Sequence, residues 1–394
     1  MPAFDSLGAG AASGFFTAPR LAFGPGAIEQ LSGLGARRTL VVADPNPVLA
    51  TVRRRVAEEL AKSEAVVEHV DAGPIDPSLA SLQPAVERAR GFGPDWIVAV
   101  GGGSTIHSAK GIWVAYQRPD LDLGRITPVT DLRLRERTRF VAVPTTSGSG
   151  EEAAWTASFR AEGGGTLEVS SRELIADWAL LDPKAGRSLP PERTADGGAE
   201  SLTHALEALA SEWGNPFCAP FAREVVSSVA LALPKAFRRP DDDLRAVLHY
   251  AATMAGIAVA NAQSGLAQAL ARQLSVVFPH SQGRLMGVLM PFVVEFNFPA
   301  ARERYQTLAP VLGPTAVANR HDLAERLRSV LSSAEIPRSL SELGLDGSDL
   351  DGAAPSIAGR VARTPAAIAN PRLPSTVELT RLLKAAWEGA AVNF

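Results

Sequence analysis

Val98-Ala99-Val100-Gly101-Gly102-Gly103-Ser104 is the stretch on which the fold turns. An apolar run from Asp95 to Val100 reads as a buried strand, and it ends in three consecutive glycines. Residues 106–116 then carry a helical pattern. A strand entering glycines before a helix is where a backbone can approach a phosphate closely. The following helix adds free N–H groups and the positive end of its dipole. Ser104 is placed either to cap that helix or to bond a phosphate oxygen. The spacing differs from the spaced-glycine dinucleotide fingerprint, so a tight strand-to-helix turn is the competing reading.

The same rhythm extends to both sides. Residues 38–44 read as a strand ending in Asp44, 47–63 as a helix, 65–70 as a strand and 78–91 as a helix. Arg139-Phe140-Val141-Ala142-Val143-Pro144 is the next strand. It runs into Thr145-Thr146-Ser147-Gly148-Ser149-Gly150, a second loop of hydroxyls and glycines. Strands alternating with helices predict a parallel sheet with helices on both faces, and such sheets bind ligands at the carboxyl ends of their strands. Thr145, Thr146 and Ser149 therefore join Gly101, Gly102, Gly103 and Ser104 as cofactor-binding residues. Asp44 either accepts hydrogen bonds from ribose hydroxyls and repels a 2′-phosphate, favouring NAD over NADP, or it is a turn residue in Asp44-Pro45-Asn46. Thr17–Phe23 reads as a possible edge strand.

Beyond about residue 186 the pattern changes. Residues 194–212, 217–237, 243–278 and 283–296 read as helix with breaks, and the C-terminal third is helical, punctuated by Pro337 and Gly347. The expected organisation is an α/β dinucleotide-binding domain over 1–186 and an all-α domain over 187–394. A chain of 394 residues, 46% hydrophobic and 21% charged, has the material for two cores. Its net charge of −3 supplies no basic field for nucleic acid or an anionic membrane. No apolar run is long enough to span a bilayer, and residues 1–16 lack a basic, then apolar, leader pattern, so a cytoplasmic protein is expected. The single cysteine, Cys218, excludes an intramolecular disulfide framework. Six histidines, His69, His107, His204, His249, His280 and His321, bound any imidazole-rich metal site.

Several motifs taken in order resemble one family. Gly101-Gly102-Gly103-Ser104 through Lys110, Pro144-Thr145-Thr146 with Gly148 and Gly150, Asp182-Pro183, and His204-Ala205-Leu206-Glu207-Ala208 are similar to the iron-containing (group III) alcohol dehydrogenases, a superfamily that includes maleylacetate reductases. Met254-Ala255-Gly256, Pro291 with Glu295-Phe296-Asn297, and Asn370-Pro371-Arg372 match later landmarks. The resemblance covers nearly the whole chain. It implies an N-terminal dinucleotide-binding domain, a helical C-terminal domain of dehydroquinate-synthase-like architecture, an active site in the cleft between them, a nicotinamide cofactor, a divalent metal and a homodimer.

The departures are chemical. The family holds its metal with one Asp and three His, the first two four residues apart on one helix. Here those two positions are Glu200 and His204, and an ungapped match puts Gln268 and Gln282 at the other two. Imidazole is a strong ligand for iron or zinc and a neutral amide oxygen a weak one, so this set is poor for a catalytic transition metal. Glu200 and His204 are expected instead to hydrogen-bond to each other or to Gln268 and Gln282. His107 stands where the family usually has Asp, Thr166 where a Lys is common before the Asp-Pro landmark, and Arg272 where a further His often follows. The cofactor side is better kept than the metal side.

The resulting expectation is an NAD(P)-dependent oxidoreductase acting on a polar alcohol or carbonyl without the usual metal. His204, His280 and Arg272 are its catalytic residues, as donors of protons or hydrogen bonds. Arg272 also suits a carboxylate-bearing substrate. Two alternatives are a nucleotide-binding partner subunit of a biosynthetic assembly and a tailoring dehydrogenase acting on a peptide hydroxyl. Expected partners are thus a small molecule or a peptide, with no nucleic acid and no membrane.

Overall fold

The computed structural model describes residues 15–161 and 165–394. The chain divides into two compact units, one of Thr17–Leu189 and one in which Phe15 and Phe16 join Pro190–Phe394.

Among the described residues of the first unit eight strands form, β1 (Arg20–Phe23), β2 (Arg38–Ala43), β3 (Val66–Asp71), β4 (Trp96–Gly101), β5 (Arg139–Pro144), β6 (Thr156–Arg160), β7 (Thr166–Ser170) and β8 (Trp178–Leu181). Six of them make one sheet in the order β1-β8-β5-β4-β2-β3, and every neighbouring pair is parallel. Helices α1 (Ala50–Ala61), α2 (Leu79–Phe92) and α3 (Gly103–Gln117) are the crossovers. Period-two alternation sorts them onto two faces. Leu40, Val42, Ile97 and Ala99 pack in the core that holds Val86 of α2 and Ile112 of α3. Val41, Val98 and Val100 pack with Val52, Val56 and Leu60 of α1. The parallel α/β sheet agrees with the expectation from the sequence. The structure adds the antiparallel β6–β7 hairpin and β8, neither of which the sequence reading picked out. Strand β1 lies at the sheet edge, with Phe23 72% exposed.

The second unit is helical: α4 (Pro191–Ala210), α5 (Cys218–Arg238), α6 (Asp242–Ala262), α7 (Leu266–Val277), α8 (Gln282–Gln306), α9 (Ala309–Leu312), α10 (Arg320–Ser332), α11 (Gly347–Val361), α12 (Pro365–Ala369) and α13 (Thr376–Glu388). Helix α4 is its hub. Every residue from Ser201 to Ala210 is buried, and α5, α6, α7 and α8 all pack against it. The long pattern over 243–278 is two helices. Gln263, with φ of 70°, turns the chain between them. The late landmarks are internal ties. Asn297 and Asn370 exchange side-chain amide bonds of 2.8 and 2.7 Å. Glu295, buried, takes Arg328 at 3.1 Å and the Val392 N–H at 2.8 Å. Among the described residues no helix is long and apolar enough to cross a membrane.

One buried cation shapes the first unit. Lys110 of α3 is wholly inaccessible and donates to the carbonyls of Glu151 (2.9 Å), Ala154 (2.7 Å) and Thr156 (3.0 Å). It thereby ties the chain leading out of the second loop to the helix that follows the first. Burial pushes its pKa down from 10.5 to about 8, with Glu151 and Glu152 pulling the other way. The folded protein therefore binds the Lys110 proton less tightly than the unfolded chain. The cost of burying the ammonium is in force below about pH 8 and fades as pH rises to 10.5. Lys110→Met is expected to destabilise the protein by at least about 2 kcal/mol, through the loss of three buried bonds to carbonyls, of which that of Glu151 keeps the Ala154 N–H at 3.3 Å. The gap to wild type should widen between pH 8 and 10 in denaturant titrations. A gap independent of pH would show that Lys110 keeps its ordinary pKa.

Candidate active site

The candidate cofactor loops of the first unit are built by neighbouring parallel strands. β4 and β5 run in register, with Gly101 opposite Pro144, so the two loops leave the sheet side by side. The Thr145 N–H donates to the Gly101 carbonyl at 3.0 Å, and the Asp44 N–H to that of Val100 at 3.0 Å. Strand β2 lies between β3 and β4, so the chain reverses its direction of travel across the sheet at the β2/β4 boundary. Open α/β sheets bind ligands at that switch point. Asp44, Gly101, Gly102, Gly103, Ser104, Thr145, Thr146 and Ser149 all come from the carboxyl ends of β2, β4 and β5.

The glycines are required by space. A Cβ on Gly101 would lie 2.2 Å from Thr105 Oγ1, one on Gly102 3.0 Å from the Thr146 methyl, and one on Gly103 2.8 Å from Ser149 Oγ. Helix α3 begins at Gly103 with Gly102 as its N-cap, and no side chain caps it. This corrects one role given to Ser104. It lies inside the first turn, where its side chain is past the capping position, because the helix starts three residues earlier than the apolar periodicity suggests. The uncapped first turn presents N–H groups to the loop region. Thr145 is buried, 1% exposed, and its Oγ1 has no hydrogen-bond partner. A buried hydroxyl without an internal partner costs free energy. Backbone room, an uncapped helix end and an orphaned hydroxyl together fit a dinucleotide pyrophosphate.

Asp44 makes the turn that was one of its two readings: its Oδ1 accepts the Asn46 N–H at 2.9 Å. His107 is held inside the unit: its Nδ1 accepts the Ser158 N–H at 3.3 Å and lies 3.7 Å from Glu151 Oε2. Thr166 opens β7 of the hairpin.

A separate group of the sequence-predicted residues lies in the helical unit. Glu200 and His204 are one turn apart on α4, and His204 is buried. Gln268 is in the first turn of α7, buried, and its Oε1 has no hydrogen-bond partner. Gln282 is the first residue of α8, half-buried. Two contacts bring these helix starts to α4. Glu207 accepts the N–H groups of Gly265 (2.8 Å), Ala267 (2.7 Å) and Gln268 (3.1 Å). Asp196 accepts Ser281 Oγ at 2.6 Å and Arg284 Nε at 2.8 Å. Burial raises the Glu207 pKa to about 7, against the opposing pull of the three N–H bonds and of the Arg272 charge. Arg272 is half-buried, one turn beyond Gln268 on α7. His280 is half-buried in the α7–α8 connection, two residues before Gln282.

The sequence reading assigned no role to Asp196, Glu207 or Lys110. The spacing Asp196, Glu200, His204, Glu207 is a helical stripe that a periodicity count would have found.

The donor set at the four metal positions is one carboxylate, one imidazole and two neutral amides. Its chemistry does not fit a tightly held iron or zinc ion, whose sites use imidazole, thiolate and carboxylate. Among the described residues no three His, Cys, Asp or Glu side chains gather elsewhere as a substitute.

Comparison with known proteins fixes the lineage. Residues 18–183 match the family model described as iron-containing alcohol dehydrogenase, and 194–387 match that of the Fe-containing alcohol dehydrogenase family, C-terminal. The chain is 28% identical over 386 residues to a protein named NADPH-dependent butanol dehydrogenase from Clostridium saccharobutylicum, covering 96% of this chain and 99% of the relative. It is 30% identical over 380 residues to an alcohol dehydrogenase of Thermococcus barophilus, covering 93% and 97%. The solved iron-containing alcohol dehydrogenase of Thermococcus thioreducens superposes with a TM-score of 0.87 at 29% identity, over 95% of this chain and 100% of that one. A 1,3-propanediol oxidoreductase superposes at 0.86 and 25% identity, over 95% and 100%. With both halves of the chain matched in order, the protein belongs to the iron-containing alcohol dehydrogenase family and is an oxidoreductase of the alcohol dehydrogenase type.

Proposed function

We propose that this protein transfers a hydride between a nicotinamide dinucleotide, NAD in preference to NADP, and a polar alcohol or carbonyl compound, without a transition metal at the reacting oxygen. The observation that carries the cofactor half is the glycine cradle at the β2/β4 switch point, with the orphaned Thr145 hydroxyl beside it. Gly101–Gly103 and the start of α3 receive the pyrophosphate, Thr145, Thr146 and Ser149 bond its oxygens, and Asp44 takes a ribose hydroxyl. When bound, the nicotinamide supplies the hydride chemistry.

The donor set supports the metal-free half. The developing charge on a carbonyl oxygen must be met by hydrogen-bond or proton donors when no Lewis acid meets it. His204 passes the proton between an imidazole nitrogen and the substrate oxygen, the Gln268 and Gln282 amides donate hydrogen bonds, and His280 is a second proton donor. Arg272 favours substrates bearing a carboxylate, which its planar guanidinium can hold at two points.

Thr145→Val removes a hydroxyl that makes no internal bond. It is expected to leave thermal stability unchanged or slightly higher, while raising the Kd for NADH about three- to tenfold, read by NADH fluorescence titration. Lost stability with unchanged affinity would remove Thr145 from the cofactor site. Asp44→Gly is expected to move the NADH-to-NADPH affinity ratio at least about tenfold toward NADPH, roughly 1.4 kcal/mol. An unchanged ratio would leave Asp44 as a turn residue only. For the metal, protein purified without chelator should contain well under one equivalent of iron or zinc by elemental analysis. The triple substitution E200D/Q268H/Q282H should acquire one. Stoichiometric metal in the wild-type protein overturns the metal-free reading. A wild-type chain that binds NADH but oxidises no alcohol or hydroxy acid and reduces no aldehyde overturns the hydride-transfer reading.

A further inference from the structure

Helix α4 carries Asp196, Glu200, His204 and Glu207 at spacings of four, four and three. At 3.6 residues per turn these side chains leave the helix within an arc of about 80°. The two inner members are Glu200 and His204, the second read above as the proton carrier. The two outer members do something else, and they do it to both neighbouring helices.

Helix α7 starts at Leu266 after the backbone turn at Gln263, and its N-cap, Gly265, contributes no side chain of its own. The four N–H groups at the start of a helix need acceptors. Glu207, reaching from α4, accepts three at 2.8, 2.7 and 3.1 Å. The contact is tight, since a Cβ on Gly265 would lie 2.9 Å from Glu207 Cδ. Helix α8 is held similarly at the other end of the stripe. Its N-cap Ser281 accepts the Arg284 N–H at 3.2 Å and donates its hydroxyl to Asp196, whose other oxygen takes Arg284 Nε. A Cβ on Gly283 would lie 2.4 Å from the Asp196 carbonyl oxygen, so the start of α8 rests on the α4 backbone.

We infer that Glu207 and Asp196 are positioning residues that set the starts of α7 and α8 on either side of Glu200 and His204. Gln268 and Gln282 are delivered by these two contacts. The Gln268 N–H is itself one of the three bonded to Glu207, and Gln282 sits between Ser281 and the crowded Gly283. A carboxylate facing a helix start also meets the positive end of its dipole, so both contacts are charge-assisted. Arg272 follows one turn along α7 and is placed by the same contact. The inference rests on the reading of His204 and the two glutamines as the reaction centre.

The test uses the full-length protein and hydrogen–deuterium exchange without substrate, followed by steady-state kinetics. In E207A, amides 265–269 should exchange at least tenfold faster, while α5, α10 and the first unit stay protected and the Kd for NADH is unchanged. In D196A the increase should fall on 281–286 instead. With the best alcohol or aldehyde found, kcat should drop tenfold or more in both variants with KM changed less than about threefold. E207Q, whose amide keeps one carbonyl acceptor for Ala267 and Gln268, should recover part of both effects, and it serves as the variant to read if E207A does not fold. Protection of these segments equal to wild type, or faster exchange with unchanged kcat, overturns the inference. Failure of the oxidoreductase reading is separate, because it shows as absent NAD-linked turnover in the wild-type chain, which the exchange measurement does not need.

Discussion

A helix buried on nearly all sides cannot leave its polar groups unanswered, and α4 carries several. Its carboxylates could be tolerated only by meeting donors. The structure answers with the starts of two helices: the backbone N–H groups of α7 meet Glu207, and the Ser281 hydroxyl and Arg284 guanidinium of α8 meet Asp196. The requirement is mutual: α7 begins with a glycine and has no cap without Glu207. Helix starts and acidic side chains thus satisfy each other, and the polar centre around His204 exists because both partners had this need.

The first unit solves a different problem with similar economy. Three glycines leave backbone where side chains would collide with Thr105, Thr146 and Ser149. Lys110 holds the chain after the second loop from beneath by three carbonyl bonds. The glycines let the Thr105, Thr146 and Ser149 side chains pack directly against the backbone where β4 runs into α3. Of the four positions that the family resemblance assigns to a metal, three carry other residue types here, Glu200, Gln268 and Gln282.

Much of this was legible in the residue order. The alternation of apolar runs and helical periods named the parallel sheet, since a strand buried on both faces shows itself as a run such as Trp96-Ile97-Val98-Ala99-Val100. Glycines and hydroxyls after β4 and β5 named the loops, because few other reasons exist for such composition at a strand's end. The hairpin of β6 and β7 escaped notice because Thr156–Arg160 and Thr166–Ser170 lack a sustained apolar pattern, being covered on one side only. The break at Gln263 was not placed within the pattern over 243–278, although Asn261, Gln263, Ser264 and Gly265 interrupt the apolar residues there. Ser104 was misplaced by three residues, since glycines carry no hydrophobic signal and the helix starts among them.

What the sequence determined by itself is local or chemical: which segments are strands and helices, where backbone must come close to something, and that two amides stand where imidazoles are usual. What only the tertiary structure decided is pairing between distant residues. Glu207 and Gly265 are 58 positions apart, and Asp196 and Ser281 are 85 apart. Nothing in the neighbourhood of either residue announces its partner, because a helix cap taken from another helix is set by how the two pack. The orphaned state of Thr145 Oγ1 is of the same kind. A threonine in a loop is ordinary, and only burial without a hydrogen-bond partner turns it into evidence of a ligand.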